Sequence, residues 1–546
     1  MLSTNRFLNS AATVVLSHRR TFTFWSTPEE TFEREQWINA EQILANLRHL
    51  TVEKPKEWPS QDSLWFEDDY APNVARFEPF NAFIARIANL KSLTWNAGPV
   101  PVILLKALHK HHRKAVLRVF CFHRLSPYLP KLDEAEIALS SYPTLTHLRA
   151  SPTTAARHNL ATWMAIMSNS QSLEYAGLVL KEHFGEQQIV EFQTNHKPGR
   201  FSAKKCQSLK SLTLDGAGLQ LSKTFLQWLD LHTEISNLEA LKLSRGLPEV
   251  SYFKSAAMLL PNLKHVSLNF AAVTGRSIPG HDGRNEAVLD AARAYLLHCS
   301  PLQTLSIWQW KSVVSLQDLL EQHGRALTSL QLHQKEIDGV RDTTNPMNPR
   351  NRGLSLSDVQ LIRRSCPNLR DLTIDMTREE KSYNLSAHTT ILQQLDELTR
   401  APPLQKVQLY FDTHGLSAFL YGDPDEDSRE ADNVHDCHNE DRIVGYDEEE
   451  DVVVAADPES LLRDYVQSIW KHLYGNATTG ERSLDVKLGD WEARTDQYTM
   501  RRGSNNRMSF WPDSRRHFVV RPNERDDMVG ECVVKVRKKR ENIHES

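Results

Sequence analysis

A nine-residue phrase, written three times between Cys206 and Phe270, constrains this chain more than any other feature. It reads CQSLKSLTL, with leucines at Leu209, Leu212 and Leu214. It returns as ISNLEALKL at Leu238, Leu241 and Leu243, then as LPNLKHVSL at Leu263, Val266 and Leu268. The first positions stand 29 and 25 residues apart. Self-similarity at such a period is the signature of a solenoid, in which each unit buries its apolar side against its neighbours.

The L-x-x-L-x-L order of the phrase is that of a leucine-rich repeat. Upstream it extends to Leu47-Leu50-Val52, Leu90-Leu93-Trp95 and Leu145-Leu148, with weaker copies at Leu117-Val119 (Lys114 in the first position) and from Leu173. Downstream it extends to Leu302-Leu305-Ile307, Leu327-Leu330-Leu332, Leu369-Leu372-Ile374 and Leu404-Val407-Leu409, making twelve in all. A strand alternates its faces with period two, so the second and third apolar positions are expected to point inward, and the first to anchor the turn into the strand. Helical spacing precedes the phrase, as at Tyr252, Ala256, Leu259 and Leu260. Three residues before the first leucine stand Cys206, Cys299 and Cys366, with Leu44, Ile87, Ile235, Leu260 and Ala401 in the same slot elsewhere. Pro or Asn follows, as in Pro261-Asn262 and Pro367-Asn368, which stops the helix before the strand begins. No periodic Asn follows the strands, where Ala217, Gly246 and Ala271 stand, so the expected array is an irregular one. The fold class is therefore α/β, an irregular leucine-rich-repeat solenoid closed by a C-terminal α/β cap.

Composition excludes some function classes. The 546 residues are 40% hydrophobic and 25% charged with a net charge of −4, which gives no drive toward nucleic acid or anionic membrane. No apolar run approaches the roughly 18 residues of a spanning helix. The six cysteines have no CxxC spacing and read as reduced, buried thiols.

Five segments are expected. Residues 1–40 form an N-terminal cap or a transit-like segment: there is no acid before Glu29, Arg6, Arg19 and Arg20 are present, and Thr21–Phe24 reads as an edge strand. Residues 41–420 form the solenoid, with an insertion at 53–80 carrying Trp58, Trp65 and Phe66, and loops at 181–205, 272–285 and 338–356. The run HKHHRK at His109–Lys114 reads as a solvated helix end, its cations near the negative end of the dipole. Residues 421–456 form a disordered acidic loop, with fourteen acids from Asp423 to Asp451 and no calcium-loop spacing. Residues 457–536 form the C-terminal cap, with a helix from Asp457-Pro458 to Gly475 and strands at Leu484–Leu488, Phe518–Val520 and Cys532–Val536. Residues 537–546 form a basic tail, whose KVRKKR is either a nuclear import signal or an ordinary charged end. The expected compartment is cytoplasm or nucleus, with the mitochondrion as the alternative that the first 28 residues raise.

The chain holds no phosphate-cradling Gly loop, G-x-S-x-G elbow, H-E-x-x-H or paired metal-ligand cluster. No catalytic residue, cofactor or metal ligand is therefore assigned, and the chain reads as a binding protein and not an enzyme. A tight concave cluster of titratable residues is the feature that would favour an enzyme instead. The residues flanking the inward positions should line the concave face of the sheet, and they are polar and rich in Ser and Thr. From them the candidate partner-binding residues are Arg149, Asp215, Lys242, Trp308, His333, Asp375 and Tyr410. The two aromatics suit protein hot spots or a contact with the C-terminal cap.

The PNL turns, the acidic insertion, KLGDWEAR at Lys487–Arg494 and RRHFVVRPNERDD at Arg515–Asp527 carry a likeness. In these the chain resembles the leucine-rich-repeat region of fungal F-box-type proteins. That resemblance implies a ribonuclease-inhibitor-like horseshoe whose repeats hold a protein client, as substrate receptor of a cullin-RING ubiquitin ligase. It also implies an N-terminal F-box that docks the ligase adaptor. No L-P-x-E-I-L-type helix is visible, and LNSAATVVLSHRRTFTF resembles the stretch on the C-terminal side of an F-box, so the motif is either lost or lies upstream. The alternative is a repeat scaffold unrelated to ubiquitin.

Overall fold

The structure, a computed structural model, describes residues 18–23, 41–53, 74–98, 100–122, 133–150, 156–179, 205–216, 220–244, 247–270, 282–334, 353–376, 385–400, 404–411, 458–475, 482–488, 516–522 and 532–537. The chain divides into two compact units, Met1–Ser300 and Pro301–Ser546.

The first unit contains, in chain order, β1 (Arg19–Thr23), α1 (Glu41–Asn46), β2 (His49–Glu53), α2 (Val74–Arg86), β3 (Ser92–Asn96), α3 (Val102–His111) and β4 (Val116–Phe122). Then come α4 (Glu134–Ser140), β5 (Leu145–Ala150), α5 (Ala156–Asn169), β6 (Tyr175–Val179), β7 (Ser211–Asp215), β8 (Gln220–Leu221) and α6 (Lys223–His232). The unit ends with β9 (Ala240–Ser244), β10 (Leu247–Pro248), α7 (Val250–Leu259), β11 (His265–Asn269) and α8 (Asp282–His298). Strands β1 to β7, β9 and β11 pair in that order, all in parallel, while β8 and β10 form a separate small pair. The second unit contains β12 (Thr304–Trp308), α9 (Leu316–His323), β13 (Ser329–His333), α10 (Leu356–Ser365), β14 (Asp371–Met376), α11 (Thr389–Thr399) and β15 (Lys406–Phe411). It continues with α12 (Pro458–Tyr474), β16 (Ser483–Leu488), β17 (Arg516–Pro522) and β18 (Cys532–Arg537). Here β12 to β16 pair in parallel, and β17 and β18 add in antiparallel fashion.

Each unit is thus an α/β layer pair, and the phrase explains why. Strands β2, β7 and β11 alternate half-buried and buried residues, and the expected inward pairs Leu50/Val52, Leu212/Leu214 and Val266/Leu268 are all buried. The first-position leucines Leu47, Leu209, Leu238, Leu302 and Leu369 are buried too. So are Leu173, Ala176 and Leu178, which makes the weak copy at Leu173 a strand of the sheet. Truncating one such leucine to Ala costs about 2–5 kcal/mol, because the neighbouring units cannot collapse into the space. Helices start where the sequence can cap them: Asp133 and Glu136 form a reciprocal box on α4, as do Ser355 and Asp358 on α10. The slot at the helix end is apolar as expected, with Cys206, Cys299 and Cys366 all buried and in no disulfide. Burial pushes the Cys299 thiol up to about 11 and the Cys366 thiol up to about 12, so both stay protonated and unreactive. Ala401 lies outside the described residues.

The residue just before the first leucine has a role that stopping a helix does not cover. In the first unit the Ser172 hydroxyl donates to the Pro143 carbonyl (2.7 Å), Ser208 to Gln171 (2.8 Å), the Asn237 amide to Gln207 (3.2 Å) and Asn262 to Ser236 (2.9 Å). Each side chain reaches the carbonyl one repeat back, so the ladder sits where the chain enters the strand instead of where it leaves. In the second unit Asn368 donates in the same way to Arg325. Backbone groups reinforce it: the Glu239 and Ala240 N–H groups both donate to the Lys210 carbonyl, and those of Lys264 and His265 to Glu239.

Several expected boundaries shift. The edge strand is β1, parallel to β2, with Phe22 buried. The segment 53–80 already contains the start of α2, with Phe80 buried, whereas Trp58, Trp65 and Phe66 lie outside the described residues. Helix α8 starts inside the loop expected at 272–285. The basic run is indeed a helix end, but His112 within it is buried, its Nε2 2.9 Å from the Ile84 carbonyl oxygen. Strand β16 continues the parallel sheet. Lys535–Arg537 of the basic motif belong to β18, and the acidic segment and Asp457 lie outside the described residues.

Candidate functional site: the polar face of the sheet

Parallel pairing in register turns the polar positions of each strand into rows that cross the sheet. In the first unit one row runs Arg149, Gly177, Thr213, Lys242 and Ser267. The expected candidates Arg149 and Lys242 therefore share a row, both exposed, while Asp215 stands one row over, opposite Ser244. Gly177 makes room for Arg149: a Cβ there would stand 3.0 Å from the Arg149 Cγ. A neighbouring row passes through Arg118, His147, Tyr175 and Ser211. The His147 ring stacks on Tyr175 at 5.6 Å, and its pKa is lowered by burial and then by the Arg118 cation.

In the second unit the other four candidates come together. Trp308 on β12 is the register partner of His333 on β13, and Asp375 on β14 is the partner of Tyr410 on β15, which in turn pairs with Lys487 on β16. His333 Nδ1 lies 2.5 Å from Asp375 Oδ1, so the ring N–H donates to the carboxylate and the tautomer is fixed. The other carboxylate oxygen accepts from the Gln334 backbone N–H at 2.5 Å. The Trp308 ring meets the His333 ring edge-on at 4.4 Å, and Tyr410 covers it at 4.1 Å. Lys487 Nζ donates to the Tyr410 hydroxyl at 3.1 Å and lies 4.9 Å from its ring centroid, a cation–π contact. Burial, followed by the Asp375 charge, raises the Tyr410 pKa, so the phenol stays protonated.

Burial separates these residues by role. His333, Asp375 and Tyr410 are 4%, 7% and 4% exposed, and Trp308 is only half-buried. Three of the four expected contact residues therefore form a foundation, and Trp308 is the part that reaches solvent. Next to it, Gln309 is buried with φ of 65°, a left-handed conformation that costs a non-Gly residue of order 1–3 kcal/mol. Its N–H donates to the His333 carbonyl at 2.7 Å, and its side-chain carbonyl accepts from the Gln334 amide.

Lys487, Gln309 and Gln334 complete this cluster and were not among the expected residues. Lys487 had a sequence signal, because it follows the alternating Leu484 and Val486 as Tyr410 follows Val407 and Leu409. Gln309 had none, since nothing in the residue type foretells a positive φ. Among the described residues no group of three or more His, Cys, Asp or Glu side chains is placed to hold a metal, and no helix is long and apolar enough to cross a membrane. No protein-family profile matches the chain, and no curated protein matches it.

Proposed function

We propose that this is a leucine-rich-repeat protein of the irregular, ribonuclease-inhibitor-like horseshoe kind, and that its polar sheet face docks a protein client. The observation that carries the reading is Trp308: a half-buried tryptophan held on a buried, hydrogen-bonded His333–Asp375–Tyr410 base. Hot spots take this form, a large aromatic at low conformational cost ringed by groups already satisfied within their own chain. The resemblance to fungal F-box-type proteins extends the reading to a substrate receptor of a cullin-RING ubiquitin ligase. Affinity capture of the full chain from its native cell, beside Trp308→Ala, tests it. A reproducible partner set that Trp308→Ala loses supports client docking, and cullin and adaptor subunits retained by both forms support the ligase role. Partners unchanged in the variant would sink the assignment of Trp308.

The His333–Asp375 pair favours a second reading, since a histidine oriented by a carboxylate is how many enzymes hold a general base. Against it, Trp308 and Tyr410 crowd the ring and His333 is only 4% exposed, which leaves a substrate little room at Nε2. Diethylpyrocarbonate labelling separates the two: a fast-reacting His333 favours the enzyme, and a protected one the foundation.

A further inference from the structure

At the start of the first unit, strands β1 to β4 border a cavity of about 420 Å³ on the polar face of the sheet. Among the described residues its lining includes Arg19, His49 and Arg118 together with the hydroxyls of Thr51, Ser92 and Thr94, and no carboxylate. Register explains the convergence: Arg19, His49 and Ser92 occupy one row, and Thr51, Thr94 and Arg118 the next. His49 Nδ1 lies 2.8 Å from the Ser92 hydroxyl, which orients the ring. Its pKa is lowered, first by burial and then by Arg19, Arg118 and His18, so the charged groups that shift it are all cations. The Nε of Arg118 is buried and has no hydrogen-bond partner among the described residues. A buried guanidinium donor with no acceptor costs about 1–3 kcal/mol, and an oxyanion is the natural acceptor.

We propose that this cavity binds a phosphoryl group. Two guanidinium groups supply the planar donor forks that phosphate oxygens accept bidentately, and the hydroxyls and His49 supply further donors at short range. A carboxylate offers two oxygens to this lining and a phosphoryl group three, spread over the tetrahedral space between the two rows. The phosphoryl group comes either from a phosphorylated side chain of the client or from a small phosphate. Only the first source rests on the protein-docking reading.

Calorimetry on the full chain tests the proposal with four probes: inorganic phosphate, a degenerate peptide library with a fixed phosphoserine, the same library with serine, and a single-stranded oligonucleotide. Binding of either phosphorylated probe, weakened about tenfold or more in Arg118→Gln and recovered in part by Arg118→Lys, supports the site. Lys110→Gln, at an exposed position on α3, should bind as the wild type does. Phosphopeptide binding tighter than inorganic phosphate places the group on a client. Equal binding of the two keeps the site and removes the client from it. Absence of phosphate and phosphopeptide binding by the wild type, or equal binding by an Arg118→Gln protein of unchanged melting temperature, overturns the proposal. A single-stranded oligonucleotide that binds more tightly than both phosphate probes would also overturn it, in favour of a nucleic-acid surface.

Discussion

His333 and Asp375 come from strands separated by a full repeat of chain, yet their side chains meet at 2.5 Å with 5% and 10% of their surfaces exposed. The carboxylate serves two donors, the His333 ring and the Gln334 backbone. Asp375→Ala should therefore orphan both and destabilise the second unit by about 1–3 kcal/mol for each donor left buried. Asp375→Asn should cost less, because its carbonyl oxygen still accepts one of the two bonds. Urea unfolding of the full chain, followed by hydrogen exchange of the β13 and β14 amides, measures the difference, and equal losses for the two variants would contradict this division of labour.

The ladder and the core make different predictions at neighbouring positions. Asn237→Ala removes one amide bond to Gln207 at an exposed turn and should cost about 0.5–1.5 kcal/mol. Leu241→Ala, four residues on and 2% exposed, should cost about 2–5 kcal/mol. If the Asn237 variant proves the weaker of the two in denaturant unfolding, the register is held chiefly by the ladder and not by the core.

Gly475 ends α12 with φ of 58°, its N–H donating to the Lys471 carbonyl at 2.8 Å. A Cβ there meets nothing within 4 Å, so Gly475→Ala tests backbone conformation alone. The expected loss is about 1–2 kcal/mol, with the α12 amides exchanging faster while those of α9 stay unchanged.

Acid should weaken the first unit. Burial lowers the pKa values of His49, His112, His147 and His232 from 6.5 in the folded protein. The unfolded chain therefore binds protons first. Their contribution is complete above pH 6.5 and is lost as pH falls through the lower folded values. Hydrogen exchange of first-unit amides between pH 7 and pH 5, corrected for intrinsic rates, should show falling protection. His112→Gln should flatten that slope, and an unchanged slope would exclude His112 as a contributor.

Much of this architecture was legible because most of the parallel strands announce themselves twice, by period-two alternation and by a leucine three residues ahead. Where one signal is missing the reading weakens. Strand β16 has Leu484 and Val486 but no leading leucine, so its place in the parallel sheet was hidden behind the acidic segment. The ladder was hidden for another reason: Ser172, Ser208, Asn237 and Asn262 are different residues that make equivalent bonds, and identity-based matching does not group them. The Trp308–His333–Asp375–Tyr410 row followed from alternation once the strands were placed. Which of its members would be covered did not, because the Lys487 contact and the Gln309 turn depend on neighbours far along the chain.

Because the turn into each strand is tied one repeat back, the lengths of chain between β6, β7, β9 and β11 differ without moving a side chain to another row. Thirty-one residues separate Val179 from Ser211, and twenty separate Ser244 from His265, yet Tyr175, Ser211, Ala240 and His265 remain aligned. The sheet is a grid whose coordinates survive insertion. A lineage can lengthen a connection in one generation and recolour a single cell in the next, and neither change shifts the other cells.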